Sequence, residues 1–204
     1  MRYCPSKTSL FLTFFLLNIN TLASSTLAPI TIIADMPQNT PCPSNNTQTI
    51  NTATLKNIFT AKNDTEILTN NTLYLHGDIS VEDSIFTTFG EDGDALNNTL
   101  TLDAQTILFQ GGNNENQLCT AFSKKGSVIG NRLHIKNGTV QEGWIRGGKS
   151  HKGDVIANHV EMSGGVATWG VQGAHSWRGD AKENSVVMSG NAINLNDLEG
   201  GHST

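Results

Sequence analysis

A pattern of residues recurs along the chain at steps of 26 and 27 positions, and it constrains the fold more than any other feature. Each copy reads Asn, any residue, an aliphatic residue, any residue, an aliphatic residue or Met, any residue, and then a small turn pair. The clearest copies begin at Asn131, Asn158 and Asn184, and weaker copies begin at Asn71 and Asn98. Self-similarity with this period is typical of solenoid proteins, whose units pack only on their neighbours.

Aliphatic and polar residues alternate within each copy, which indicates a half-buried β-strand. The spacing of an amphipathic helix is not sustained anywhere after residue 23. A unit of two or three short strands cannot enclose a core alone, but parallel stacking of equivalent strands, about 4.8 Å apart, buries a continuous apolar column. The sequence therefore predicts an all-β fold, a parallel β-helix or solenoid with 26–27-residue rungs, of which about five or six follow Asn46.

The repeat also predicts which residues lie above one another. One apolar column is expected to contain Leu73, Leu100, Leu133, Val160 and Val186. A second strand of the unit is marked by Val140, Val166 and Ile193, and the next by Ile145, Val171 and Leu198. Residues 46–55 fit a degenerate first rung, and the 33-residue step from Asn98 to Asn131 predicts a longer loop near residues 111–116.

The first 23 residues have the three parts of a secretory signal peptide. Arg2 and Lys7 form a basic head, an apolar stretch follows from residue 10 to residue 19, and small residues surround position 23. The apolar stretch is shorter than the roughly 20 residues that a membrane-spanning helix needs. We therefore expect export, with cleavage between Ala23 and Ser24.

The expected organisation is a signal peptide over residues 1–23, a poorly ordered segment over residues 24–45, and a solenoid over residues 46–204 that is clearest over residues 122–204. The last five residues fall just inside a new unit, which favours a truncated reading frame. Nothing after Leu198 resembles the cap that a solenoid end requires, so we expect the last rung to self-associate.

The distribution of charge argues against nucleic-acid binding. The full chain carries 13 basic and 18 acidic residues, and both basic residues removed with residues 1–23 leave a net charge of −7. Residues 24–120 carry −9 and residues 121–204 carry +2. Neither part has the clustered basic face typical of nucleic-acid-binding proteins.

Five asparagines share one position of the repeat: Asn71, Asn98, Asn131, Asn158 and Asn184. Such a series could bind a ligand, or it could be a structural ladder in which the amides bond along the stack. We favour the structural ladder, because an Asn before a strand is ordinary turn chemistry. Lys149, His175 and His202 form another series, which we interpret as a solvated turn rather than a metal site, since Lys does not ligate metal at neutral pH.

The acidic residues do not form a recognisable catalytic arrangement. Glycoside cleavage uses two carboxyl groups that flank the bond, whereas Asp154 and Asp180 follow glycines in the repeat's own turn. The acidic turn over residues 91–94 lacks the full spacing of a calcium loop, and no Gly-x-Ser-x-Gly elbow is present. We therefore predict no catalytic residue, no cofactor and no metal site.

Cys42 and Cys119 remain after removal of residues 1–23. Export permits disulfides, and a bridge between these two residues would tie the N-terminal segment to the middle of the stack. Two independent thiols are the alternative, and the sequence does not decide between them. Neither cysteine has the nearby Cys or His partners of a zinc site.

The units combine Gly-Gly-x-Ser, Gly-Asp and Asn-x-Val-x-Met-Ser-Gly, as at residues 147–150, 153–154 and 184–190. These motifs resemble the glycine- and asparagine-rich passenger repeats of bacterial autotransporter proteins over about residues 122–204, and more loosely over residues 71–112. The resemblance implies a parallel β-helix exported to the cell surface and often used in adhesion or autoaggregation. The β-barrel with which such proteins end has no counterpart here, so we expect the sequence to be truncated before it.

The leading functional hypothesis is therefore a surface scaffold or adhesin-type passenger. It would reside at the cell surface and outer membrane as part of a full-length protein, or in the periplasm or medium as a fragment. Expected partners are host or bacterial surface molecules and further copies of the chain, with no nucleic acid. The alternatives are a β-helical carbohydrate-active enzyme, such as a lyase or glycosidase, and an inactive truncated fragment.

Overall fold

A computed structural model describes residues 44–111 and 116–204. The expected signal peptide, its cleavage position and Cys42 lie outside these residues, as do residues 112–115 of the expected long loop. The described part of the chain contains strands and turns and no helix, and thus no helix that could span a bilayer.

The strands are short, as the turn-rich sequence predicts. In chain order they are β1 (Thr47–Leu55), β2 (Ile58–Asn63), β3 (Leu68–Thr69), β4 (Thr72–Val81), β5 (Ser84–Gly90), β6 (Ala95–Leu96), β7 (Thr99–Phe109), β8 (Gln117–Ser123), β9 (Val128–Ile129), β10 (Arg132–Gln141), β11 (Trp144–Ser150), β12 (Val155–Ile156), β13 (His159–Met162), β14 (Val166–Ala167), β15 (Val171–Ser176), β16 (Ala181–Lys182), β17 (Ser185–Met188), β18 (Ile193–Asn194), β19 (Leu198–Glu199) and β20 (His202–Ser203).

These strands form three parallel sheets that run along a solenoid of about six rungs. The first sheet has the order β1-β4-β7-β10-β13-β17, with β14 between β10 and β18. The second sheet has the order β2-β5-β8-β11-β15-β19, with β20 also paired to β15, and the third has the order β3-β6-β9-β12-β16. Each rung visits the three sheets in turn, so the predicted all-β parallel solenoid with rungs about 27 residues apart is confirmed.

The core consists of aliphatic columns that follow the solenoid axis. Leu73 pairs with Leu100, Leu100 with Leu133, Leu133 with Val160 and Val160 with Val186, as predicted. The second sheet supplies another inward column, made of Ile58, Ile85, Leu118, Ile145, Val171 and Leu198. Stacking like on like leaves the first four members of the Leu73 column and the first five of the Ile58 column at most 1 % exposed, which removes their apolar surface from water.

One predicted register is wrong by a single position. Val166 pairs with Ile193 as expected, but Val140 pairs with Ala167 rather than with Val166. Ala167 is 1 % exposed and belongs to the core. A register irregularity before Val140, beside Gly138 at a φ of 102°, explains the shift, because a bulge offsets the count of residues along a strand.

The last rung differs from the others in its exposure. Most of the exposed large apolar side chains lie there: Val187, Ile193, Leu195 and Leu198, at 46 %, 49 %, 65 % and 53 %. Their counterparts in the inner rungs are covered by the rung above, and these four are not covered by any described residue.

Candidate functional site: the outer face of the second sheet

The repeated asparagines lie inside the stack and form a ladder. The side-chain oxygen of Asn98 accepts the backbone N–H and the side-chain N–H of Asn71, at 2.9 and 3.1 Å. The same pair of bonds joins Asn98 to Asn131, Asn131 to Asn158, and Asn158 to Asn184. From Asn98 onward each Nδ2 also donates to a backbone carbonyl one rung below. The first four are fully buried, so this series holds rungs together and leaves no atom for an external ligand.

Asn46 belongs to the same ladder, since its N–H groups donate to the oxygen of Asn71 at 2.9 and 2.8 Å. The sequence analysis missed this member because its step to Asn71 is 25 residues and no other motif of the unit accompanies it. The pairing of Thr47 with Thr72 fixes its position.

A serine turn follows each strand of the second sheet from β8 onward. The hydroxyl of Ser150 donates to the carbonyl of Gly126 one rung below and accepts the N–H of Gly153 in its own rung, both at 2.9 Å. Ser123 and Ser176 make the equivalent pair of bonds. A Cβ on Gly153 would collide with the Gly126 carbonyl, which explains why glycine recurs at this turn.

The acidic residues singled out in the sequence take part in these turns. Asp154 accepts the backbone N–H of Asp180 at 2.9 Å, and Asp180 forms an ion pair with Lys182. In the acidic turn, Glu91 pairs with Lys124 at 3.0 Å and Asp92 with Lys125 at 2.8 Å. Among the described residues no three His, Cys, Asp or Glu side chains are grouped so that they could hold a metal ion.

The outer face of the second sheet carries an aromatic stripe, made of Phe59, Phe86, Phe89, Phe122, His151 and Trp177. Neighbouring rings lie 4.3–5.7 Å apart between centroids, within the range of favourable ring contacts. The rings belong to strands β2, β5 and β8 and to the turns after β11 and β15, so the stripe crosses five rungs. The repeat offers a signal for it, because Phe59 and Phe86 are 27 residues apart and Phe89 and Phe122 are 33 apart, which are the steps of the units.

Beside the stripe, a buried arginine links three rungs. The Nε of Arg146 donates to Gln172 at 2.7 Å, and its Nη1 donates to Gln117 at 3.0 Å. Gln172 in turn donates to Glu199 at 2.8 Å. Arg146 is only 4 % exposed, so these bonds to side-chain oxygens offset the cost of burying its charge.

A cleft of about 440 Å³ lies over the first four rungs of this face. Its aromatic lining consists of Phe59, Phe86, Phe89, Phe122 and His151. Its polar lining consists of Asn57, Asp83, Ser84, Glu91, Asn116, Gln117, Lys124 and Lys149. Apolar ring surface with a limited set of polar groups around it is typical of ligand-binding clefts, and this cleft is the candidate functional site.

Asn116 is the most unusual group in the lining. The residue is 1 % exposed, yet neither its side-chain nitrogen nor its oxygen has a hydrogen-bond partner among the described residues. An unsatisfied buried amide costs roughly 1–3 kcal/mol per group. A ligand that both donates and accepts hydrogen bonds would remove that cost.

The series Lys149, His175 and His202 does stack, as the repeat predicts, but its interpretation as a solvated turn is wrong. These residues lie in strands β11, β15 and β20, and Lys149 is 3 % exposed. Its Nζ lies 5.3 Å from the centre of the Trp177 ring. Burial, together with the charges of Arg146 and Lys149, lowers the pKa of His175 from 6.5 to about 3, so His175 is neutral near pH 7.

Cys119 lies on the same face and is fully buried. Its Sγ–H donates to the carbonyl of Ala121 at 3.2 Å, and burial raises the pKa of the thiol to about 11. A thiol in this state is a poor nucleophile. The bridge to Cys42 stays a prediction, since Cys42 lies outside the described residues.

Comparisons with protein-family models, with curated proteins and with solved structures found no match. The resemblance to autotransporter passengers is thus supported by the repeat motifs and the solenoid fold alone.

Proposed function

We propose that the chain is an exported surface scaffold of the adhesin type, the passenger of an autotransporter-like protein. The observation that carries this proposal is the aromatic stripe with its cleft, presented on the outer face of a continuous sheet. Aromatic residues are enriched at binding surfaces because they offer a large contact area at a low cost in side-chain entropy. A stack of hydrogen-bonded rungs holds these side chains in fixed positions, which lowers the entropy lost on binding.

Export through residues 1–23 is part of the proposal. The test is expression of the full chain with a C-terminal epitope tag in a Gram-negative host, followed by cell fractionation and mass spectrometry of the N-terminus. We expect the recovered protein to begin at Ser24 and to lie outside the cytoplasm. A protein that keeps Met1 and stays in the cytoplasm would contradict export.

Adhesion is tested with beads that carry the purified chain. We expect the beads to attach to epithelial or bacterial cells, and replacement of the half-exposed Phe89 by Ser to reduce attachment. Beads with the Tyr74→Ser variant are the control, because Tyr74 is an exposed aromatic residue of the first sheet. Equal attachment of both variants would contradict a role of the stripe in adhesion.

We further propose that Asp154 and Asp180 stabilise turns and have no catalytic role. The support is that Asp154 accepts a backbone N–H of the next rung and Asp180 is paired with a lysine. A screen of the purified chain against plant and microbial polysaccharides is expected to give no cleavage. Cleavage that disappears in Asp180→Asn would overturn this proposal and favour the carbohydrate-active enzyme instead.

A further inference from the structure

The rings that line the cleft set the first requirement on its ligand. Phe86, Phe89 and Phe122 contact one another at 4.8–5.7 Å between centroids, and Phe86 and Phe122 are only 4 % and 6 % exposed. Such a floor offers ring faces and edges and no hydrogen-bonding group. The side of the ligand that lies on it must therefore be apolar and roughly flat.

The polar lining sets the second requirement. Asn116 offers one unused acceptor and two unused donors among the described residues. Ser84 and Gln117 lie beside it in the lining. A ligand must therefore carry groups that donate and accept at once, next to its apolar side, and the hydroxyl group is the simplest group that does both.

The charges of the lining set the third requirement. The carboxylates of Asp83 and Glu91 face the ammonium groups of Lys124 and Lys149, apart from the His151 imidazole. Glu91 and Lys124 neutralise each other at 3.0 Å, and Asp83 accepts a hydrogen bond from Asn57 at 3.2 Å. The cleft thus has no excess of one sign that would favour a polyanion or a basic peptide.

A peptide in extended form is also disfavoured at this place. Peptides commonly bind a sheet by adding a strand to its edge. The cleft lies on the face of β2, β5, β8 and β11, whose backbone groups already pair within the sheet. A peptide there would have to leave its own N–H and C=O groups unpaired or find side-chain partners for them.

We propose that the cleft binds an uncharged oligosaccharide. Sugar rings have one apolar C–H face that stacks on the Phe floor and hydroxyl groups that satisfy Asn116. The proposal deepens the adhesin role and rests on it, since it names the chemical class of the surface molecule that the outer face of the second sheet would hold.

The test is affinity electrophoresis of the purified chain through gels that contain one polysaccharide each: starch, a β-glucan, mannan, a neutral galactan or heparin. We expect retardation by at least one neutral polysaccharide and none by heparin. Phe89→Leu keeps the apolar volume and removes the ring, and Asn116→Leu removes the amide. Both changes are expected to weaken binding about tenfold, the equivalent of one stacking or hydrogen-bonding contact.

Tyr74→Leu is the matched control, because it removes an aromatic residue from the first sheet, outside the cleft, and it is expected to bind as the unsubstituted chain does. Thermal unfolding of each variant checks that the fold is intact. No retardation by any neutral polysaccharide, retardation by heparin alone, or equal retardation of all three variants overturns the proposal. If the beads described above attach to cells and no neutral polysaccharide is bound, the oligosaccharide is wrong while the adhesin role stands. If a neutral polysaccharide is bound and no cell is, the reverse holds.

Discussion

The residue just before each ladder asparagine adopts a left-handed backbone conformation. The residues at this position are Asn45, Asn70, Asn97, Gly130, Ala157 and Glu183, all with φ between 52° and 68°. Asn and Gly tolerate this conformation, whereas a residue such as Ala or Glu is strained there by the contact of Cβ with the backbone. The first four rungs thus use suitable residues and the last two do not.

Replacing Glu183 by Asn is therefore expected to stabilise the chain by about 0.5 kcal/mol, because Asn adopts the left-handed region at lower cost. The measurement is the urea midpoint of unfolding. Glu161→Asn is the control, since Glu161 lies within strand β13, where Asn is disfavoured and no gain is expected. A gain in the control equal to that in Glu183→Asn would show that lost negative charge, rather than backbone strain, is responsible.

The ladder itself predicts a large effect from one substitution. Asn131→Ala removes the acceptor of the Asn98 N–H groups and the donor to Ala95 and Asn158. All of these groups are buried, so we expect a loss of about 3 kcal/mol in the free energy of unfolding. Asn137→Ala removes only a local bond to Gly138 in an exposed turn, and a change below about 0.5 kcal/mol is expected there. Similar losses in the two variants would contradict the role assigned to the ladder.

At the scale of elements, the turn after each strand of the second sheet depends on close approach between rungs. Gly153→Ala would press a Cβ against the backbone of Gly126, and neither backbone can move without breaking the sheet. We expect a loss of about 3 kcal/mol in stability, measured by chemical denaturation. In Gly201→Ala the nearest atom is the flexible Nδ2 of Asn184, at 3.2 Å, so a much smaller loss is expected. A Gly153→Ala variant as stable as Gly201→Ala would mean that the turn is looser than described.

Acid should weaken the second sheet through His175. Its pKa in the folded chain is about 3, below the value of 6.5 that it has when exposed. The unfolded chain therefore binds one more proton than the folded chain between these values, and stability is lost as the pH falls through this window. The groups that oppose its protonation are Arg146, Lys149, His151 and His202.

We expect His175→Gln to lose less stability than the unsubstituted chain between pH 7 and pH 4, since Gln does not titrate. Thermal midpoints at the two pH values measure this, with His76→Gln of the first sheet as the control. If His175→Gln and the unsubstituted chain lose stability equally on acidification, a group other than His175 is responsible.

Much of the inner face of the strands could be predicted from the sequence, and little of the outer face could. Inside, a column must hold residues of similar size and polarity to stay packed, so Leu73 is followed by Leu100 and Leu133 at the repeat step. Outside, no such requirement acts. The column that begins with Phe59 and Phe86 continues with Cys119, Arg146 and Gln172, which share neither size nor polarity. The cleft was therefore invisible to a comparison of repeats.

At the scale of the whole molecule, the number of rungs followed from one period because each rung contacts chiefly the rungs above and below it. The Val140 register did not follow, since the bulge beside Gly138 depends on a local conformation that the period does not specify. The unsatisfied amide of Asn116 was equally inaccessible, because it results from a cleft built by four rungs together.

Because the contacts run from rung to rung, the chain has no distant partners that would make it yield as a whole under tension. A pull on the C-terminus in an optical trap would first detach the rung that holds β17–β20 and then each rung beneath it. Every step would release about 27 residues, or roughly 90 Å of extended chain. A mechanical record with regular steps of this length is expected of this molecule, and a single large step would show that the rungs unfold together.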